Sequence, residues 1–383
     1  MRTLSVVASI LVSGLAGGQT TSGLAESAAV SHPLCNQPIS TVAVPTAPHG
    51  IFVLQFPNAD TKPLTKYIMN QPTVCGADIF VVWRTVDSGN GQYNWPSVDA
   101  LINPWIAAGK SVNLIVWGVS DTVPNDATPD YVLKSSGYQS VSCTDQGSRS
   151  YPFPVYYSLG YKNNYKTFIQ ALLTRYGSNP YIGYIRFGLA QGGEANPSCV
   201  PQLLQLGGYS QSQFDTVWQS YVAEMTLFQQ TVLAPIQAQG PSIQLMAALN
   251  GFPNNGGTPD FEAQNAVSLG FGFGSQGLQL SDISNFNSGQ PCGSDWCDNF
   301  VQFVGQVPLE LQTLSASDPT NATGGTGSLP VLLPFAVGLR AQILELYISD
   351  LQIAYDPTSP HYSRYSLAYQ LVLNSIAAVV GGH

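Results

Sequence analysis

Residues 81–117 read VVWRTVDSGNGQYNWPSVDALINPWIAAGKSVNLIVW. A β-branched run predicts a strand over Ile79–Thr85, and the polar DSGNGQ stretch after it turns the chain. Pro96–Ala108 reads as a helix. Gly109 follows it, where a helix C-cap favours a left-handed residue. Ser111–Gly118 is apolar and β-branched again, the pattern of a buried strand. One strand, one helix and one strand in succession make a βαβ unit, which implies parallel pairing.

Outward from this unit the alternation repeats. Further strands are expected at Gly50–Phe56, Ile182–Leu189, Ile243–Leu249, Val267–Phe273, Val307–Gln312 and Ile343–Tyr347, giving eight in all. Helical stretches are expected at Tyr161–Tyr176, Ser210–Gln239, Phe261–Ala266 and Asp298–Val304. Eight strand–helix repeats predict an α/β fold, a (β/α)8 barrel, which needs ~250 residues plus loops; the chain has 383. The alternative is a doubly wound open sheet, but no GxGxxG follows the first strand and no Walker-type loop occurs. Long inserts at Asp121–Val155, Asn196–Gly208 and Thr313–Leu329 follow the third, fourth and seventh strands. That is the side on which a barrel builds its binding face.

Composition narrows the partners. Only 9% of residues are charged, 44% are hydrophobic and the net charge is −9. No basic stripe occurs, so nucleic acid and anionic membrane surfaces are poor partners. The N-terminus, MRTLSVVASILVSGLAGG, has the layout of a secretory signal peptide. The expected organisation is a signal peptide over 1–25, a tether over 26–48 and a barrel over 49–383, in a secreted protein without a membrane span.

Six cysteines suit an oxidising compartment. Cys292 and Cys297 are expected to close a small loop. The other four allow three pairings, of which Cys35–Cys75 and Cys143–Cys199 are favoured. No CxxC spacing or His cluster points to zinc. His32, His49, His361 and His383 show no paired spacing, so neither a metal nor a Ser-His-Asp set is expected, and no cofactor is implied. Asn321-Ala322-Thr323 is a glycosylation sequon.

The glutamates carry the functional signal. There are six: Glu26, Glu194, Glu224, Glu262, Glu310 and Glu345. Glu194 follows the fourth strand in IRFGLAQGGEANP, Glu310 lies in VPLELQT on the seventh, and Glu345 in ILELYIS on the eighth. All three are expected at the C-terminal mouth of the barrel. Two carboxyl groups flanking one cleft suit glycosidic bond cleavage: one protonates the leaving oxygen, and the other attacks the anomeric carbon or activates water. A separation of ~5–5.5 Å goes with retention and ~6.5–9.5 Å with inversion.

Glutamates after the fourth and seventh strands resemble the retaining (β/α)8 glycoside hydrolases of clan A. Within 81–117, Gly91, Tyr93, Trp95, Val98, Asp99, Gly109, Lys110 and Val112 resemble a segment of the β-galactosidase-type members. The resemblance implies hydrolysis of poly- or oligosaccharides, with Glu194 as general acid/base and Glu310 as nucleophile. Three positions depart from the clan pattern. Gly193 stands where Asn usually precedes the acid/base, GFGFGS on the sixth strand lacks a Tyr or His, and Glu345-Leu346-Tyr347 replaces a Trp. The GGE triplet is similar to the AGE of β-amylase-type inverting enzymes, so inversion is the alternative. A glycan-binding barrel without catalysis is the competing function.

Trp83, Trp117 and Tyr347 could offer aromatic faces to sugar rings, or pack in the core. Arg84 could hold a hydroxyl or pair with Glu310. Asn250 and Gln312 suit hydroxyl recognition. Glu345 could bind sugar or pair with Arg340.

Overall fold

The computed structural model describes residues 48–380, apart from 58–60, 90, 121–126, 135–139, 145–149, 196, 241, 250–257, 291, 293–295 and 322–324. The expected signal peptide, the tether up to residue 47, Cys35 and Asn250 fall outside the described residues.

Ten strands occur in chain order: β1 Gly50–Gln55, β2 Val74–Val82, β3 Ser111–Trp117, β4 Ser140–Thr144, β5 Ser150–Pro154, β6 Ile182–Phe187, β7 Gln244–Ala248, β8 Gly272–Leu278, β9 Leu309–Thr313 and β10 Ile343–Tyr347. Eight close into a barrel in the order β1-β10-β9-β8-β7-β6-β3-β2, every pair parallel. This is the expected (β/α)8 barrel. The remaining two, β4 and β5, form an antiparallel hairpin within the long insert after β3.

Alternation explains the closure. Outward residues such as Ile51, Val53, Ile79, Val81, Leu114 and Val116 join the large apolar layer beneath the helices. Inward residues fill the barrel in layers. Phe52, Tyr184, Met246 and Ile343 cluster at the N-terminal side. Leu54, Phe80 and Ile115 cluster at the mouth with Phe56, Trp117 and Tyr347 against them. Between these two apolar layers lies a polar one.

Two strands are displaced from expectation by more than two residues. The second strand starts at Val74, and Trp83–Val86 forms a helical turn instead of continuing it. Its interior residues Gly76, Ala77 and Asp78 weaken the β signal because two are small and one is a lumen-facing acid. The sixth strand is Gly272–Leu278, while Val267 belongs to helix Thr258–Ser268, whose Ala263 and Ala266 are buried. Gly270, at φ +73°, separates the two.

Local chemistry sets the helix ends. Gly109 adopts φ +73° after helix Trp95–Ala107, as expected. Ser158 caps Leu159–Tyr176 by accepting from Tyr161 N, and Ser210 forms a capping box with Gln213 at the start of Gln211–Gln237. The disulfides Cys143–Cys199 and Cys292–Cys297 are present as expected. Cys75 is also disulfide-bonded. Among the described residues no helix is long and apolar enough to cross a membrane.

Candidate active site

The loop after β6 turns sharply through residues 188–194. Leu189 N–H donates to the Glu194 carbonyl at 2.9 Å, Glu194 N–H donates to the Gln191 carbonyl at 2.9 Å, and Gly192 N–H donates to the Val119 carbonyl at 2.9 Å. Gly192 has φ +56°, a conformation that glycine adopts without strain. Gly193 has a steric reason: a Cβ there would overlap Ile115 Cγ2 and come 3.4 Å from Trp117 Nε1. The turn thus lies against the Trp117 ring, and Glu194 emerges half-buried at the C-terminal rim. The asparagine of the clan pattern has no room at Gly193. Gly193→Asn is expected to lower stability by about 1–3 kcal/mol through overpacking, measurable by urea denaturation; an unchanged midpoint would refute the contact.

Aromatic rings floor the mouth. Phe56 stacks on Phe80 with centroids 4.4 Å apart and on Tyr347 at 6.0 Å, and Trp117 meets Phe80 edge-on at 5.1 Å. Trp117 Nε1 is buried without a hydrogen-bond partner. The Tyr347 hydroxyl accepts from Gln312 Nε2 at 3.3 Å and donates to the Leu314 carbonyl at 3.3 Å. Its pKa is raised, chiefly by burial, and the charge of Glu194 contributes to that rise, so the phenol lies within the field of that carboxylate.

Glu310 sits elsewhere. It is the second residue of β9, fully buried in the polar layer below the mouth rather than at the strand end. Leu309 and Leu311 face the helices, so alternation turns Glu310 into the lumen. Arg186 Nη1 donates to Glu310 Oε2, and Gln276 Nε2 donates to Oε1 at 3.2 Å. Glu345 is likewise interior and fully buried. Arg186 donates to it through Nη1 at 3.2 Å and Nη2 at 3.3 Å. The partner of Glu345 is thus Arg186 and not Arg340, and the guanidinium on Glu310 is Arg186 and not Arg84.

The layer continues through Tyr184, whose hydroxyl bridges Glu345 and, at 3.0 Å, Asp78 Oδ1. Asn113 Nδ2 donates to the same Asp78 oxygen at 2.8 Å. One phenolic proton cannot serve two carboxylates, so one of them holds a proton of its own. Three carboxyls share one guanidinium. Burial pushes Asp78 well above the usual carboxylate range, with Glu345 adding to the shift. Burial likewise lifts Glu310, to about 8, against the pull of Arg186 and with the help of Glu345.

Two other predicted residues do not reach the mouth. Trp83 is fully buried, donates to Asp87 Oδ2 at 2.9 Å, and packs on Tyr161, Tyr165 and Phe168. Its place is the interface between barrel and helix. Arg84 forms a surface ion pair with Asp130. The structure therefore brings together Glu194, Trp117, Gln312 and Tyr347 at the rim, and Glu310 with Glu345 beneath them.

Sequence reading missed Arg186, Asp78, Asn113, Tyr184 and Gln276, and also Phe56 at the mouth. A signal existed for the charged ones. In a chain this poor in charge, Asp78, Arg186, Glu310 and Glu345 stand inside otherwise apolar strands at lumen-facing positions. Among the described residues no group of three or more His, Cys, Asp or Glu is placed to hold a metal ion.

The catalytic domain of β-amylase from Paenibacillus polymyxa matches over 86% of this chain and 100% of its own, with a TM-score of 0.56 and 11% identity. The chain shares its fold. The β-galactosidase from the psychrophilic Marinomonas ef1 matches with a TM-score of 0.52 and 12% identity, over 87% of this chain and 61% of that one. The cold-adapted β-galactosidase from Rahnella sp. R3 has the same TM-score at 10% identity, over 87% and 57%. At these identities the likeness is one of fold. No protein-family profile and no curated sequence matches the chain.

Proposed function

We propose that the protein is an exported glycoside hydrolase that cleaves O-glycosidic bonds of oligo- or polysaccharides, with Glu194 as proton donor and Glu310 as the second carboxylate. The observation that carries this reading is the setting of Glu194: a half-buried carboxyl on the C-terminal rim, carried by a glycine turn that lies against Trp117, with the Tyr347 phenol within its field. Aromatic faces suit the C–H side of a sugar ring, and an adjacent acid suits its glycosidic oxygen. The glycosidases of like fold and the two disulfides support the substrate class and export.

Glu310 acts as nucleophile only if Gln312 and Tyr347, the next groups toward the mouth, move aside, because it has no exposed surface. Its burial favours a rival reading, a barrel that binds glycans without cleaving them. The test is hydrolysis of a panel of aryl glycosides and polysaccharides by the wild type and by Glu310→Gln, with proton NMR of the first-formed anomer. The expected result is turnover by the wild type and its loss in Glu310→Gln. An equally active Glu310→Gln removes Glu310 from the mechanism. Binding without turnover across the panel establishes the rival.

A further inference from the structure

Helix Thr258–Ser268 packs against helix Gln211–Gln237 on the barrel flank. A cavity of about 10 Å³ lies there, lined by Leu189 and Ala195 of the Glu194 loop, by Ala248, and by Thr226, Gln229 and Glu262 of the two helices. That volume accommodates one water molecule. Glu262 is 2% exposed and Gln229 1%. Glu262 Oε1 accepts from the Trp218 indole N–H at 3.1 Å, but Glu262 Oε2 and Gln229 Nε2 are buried without partners. Thr226 and Asn265 on the same wall satisfy each other at 2.8 Å.

The two orphan groups have a definite chemistry. Burial drives the Glu262 carboxyl well above the usual carboxylate range, which favours the protonated acid. No other titratable side chain lines the cavity. On the packed helices Asp260 accepts from Asn299 at 2.9 Å, Glu224 holds Lys162 and Lys166, and Tyr221 donates to the Leu189 carbonyl at 2.6 Å. A protonated Oε2 is a donor and so is an amide Nε2. Two donors cannot satisfy each other, whereas one water oxygen accepts from both.

We propose that Glu262 and Gln229 hold one buried water in this cavity, and that the bridge positions the Glu194 loop from behind. Leu189 and Ala195 bracket Glu194 in sequence, and the Leu189 N–H closes the turn on the Glu194 carbonyl, so the cavity wall and the rim carboxyl belong to one unit. Glu262 is then a positioning residue. Its catalytic consequence rests on the reading of Glu194 as proton donor; the water does not.

The test uses Glu262→Gln and Glu262→Leu in the full chain. Glu262→Gln keeps a donor in place of Oε2 and is expected to match the wild type in kcat, KM and acid-pH Tm. A carboxyl whose folded pKa is raised stabilises at low pH and loses that contribution as pH rises through it. The wild type should therefore lose Tm more steeply than Glu262→Gln as pH rises above the usual carboxylate range. Glu262→Leu is expected to lower kcat roughly tenfold with little change in KM, the mark of a misplaced group. A high-resolution crystal structure should show a water between Oε2 and Nε2. No density there overturns the bridge. A Glu262→Leu variant with wild-type kcat per folded molecule overturns the positioning role, and a Glu262→Gln variant as impaired as Glu262→Leu overturns the neutral acid. If the wild type hydrolyses nothing, the functional reading fails while density and pH dependence still decide the water.

Discussion

Arg186→Met is expected to lower folding stability by about 3–5 kcal/mol at neutral pH, the cost of leaving a buried charge without its partner. Arg186 is the lone cation of the lumen network, bonded to both Glu310 and Glu345, and a methionine fills its volume while removing its charge. The pH dependence carries the sharper expectation. Without the guanidinium, Asp78 and Glu310 rise further above their unfolded pKa values. Their stabilising contribution is then present at low pH and lost as pH rises through those folded values. The deficit of Arg186→Met should narrow at acid pH and widen at neutral pH. The wild type, with Glu310 raised to about 8, loses part of its stability as pH rises from the usual carboxylate range to about 8. Urea denaturation at several pH values reads both. A deficit independent of pH would mean that packing, not charge, dominates.

Glu194→Gln is expected to reduce kcat about 10²–10⁴-fold, the usual worth of a positioned general acid. Its stability should stay within about 0.5 kcal/mol of the wild type, because the side chain is a half-buried rim residue outside the core. The loss should depend on the leaving group. An activated aryl glycoside departs without a proton, whereas a sugar hydroxyl needs one, so natural oligosaccharides should suffer more than nitrophenyl glycosides. A uniform loss across leaving groups would refute proton donation as the role of Glu194. It would point instead to substrate binding.

The barrel was legible because its strands are apolar on the helix-facing side and bounded by turns. Ser111–Trp117 and Ile343–Tyr347 keep this pattern, and their expected positions hold. Legibility failed where the lumen is polar or the residues are small, as at Gly76, Ala77 and Asp78, and at the boundary of Val267 with Gly272. Glu194 reaches the rim that its glycine turn and its place after the strand predict. Glu310 and Glu345 were recognised as unusual but placed one layer too high, because strand ends were used where alternation was the better guide. Of the two places open to Trp83, sugar face or core, it takes the core, because the helical turn that begins there swings it among Tyr161, Tyr165 and Phe168. Arg186 was hidden by Ile185 and Phe187, whose apolar character dominates the strand.

A closed barrel has no edges, so its backbone offers no template to another chain. Among the described residues the unpaired strand edges belong to the β4–β5 hairpin. Helix Val200–Gly207 packs against β4, and Cys143 within β4 is bonded to Cys199 just before that helix. The same bond therefore tethers the exposed ribbon and ties it to the segment that carries Glu194. Reduction of that bond would leave the barrel closed and the ribbon held by the buried Tyr151 and Phe153, so any aggregation through strand addition is expected to begin there.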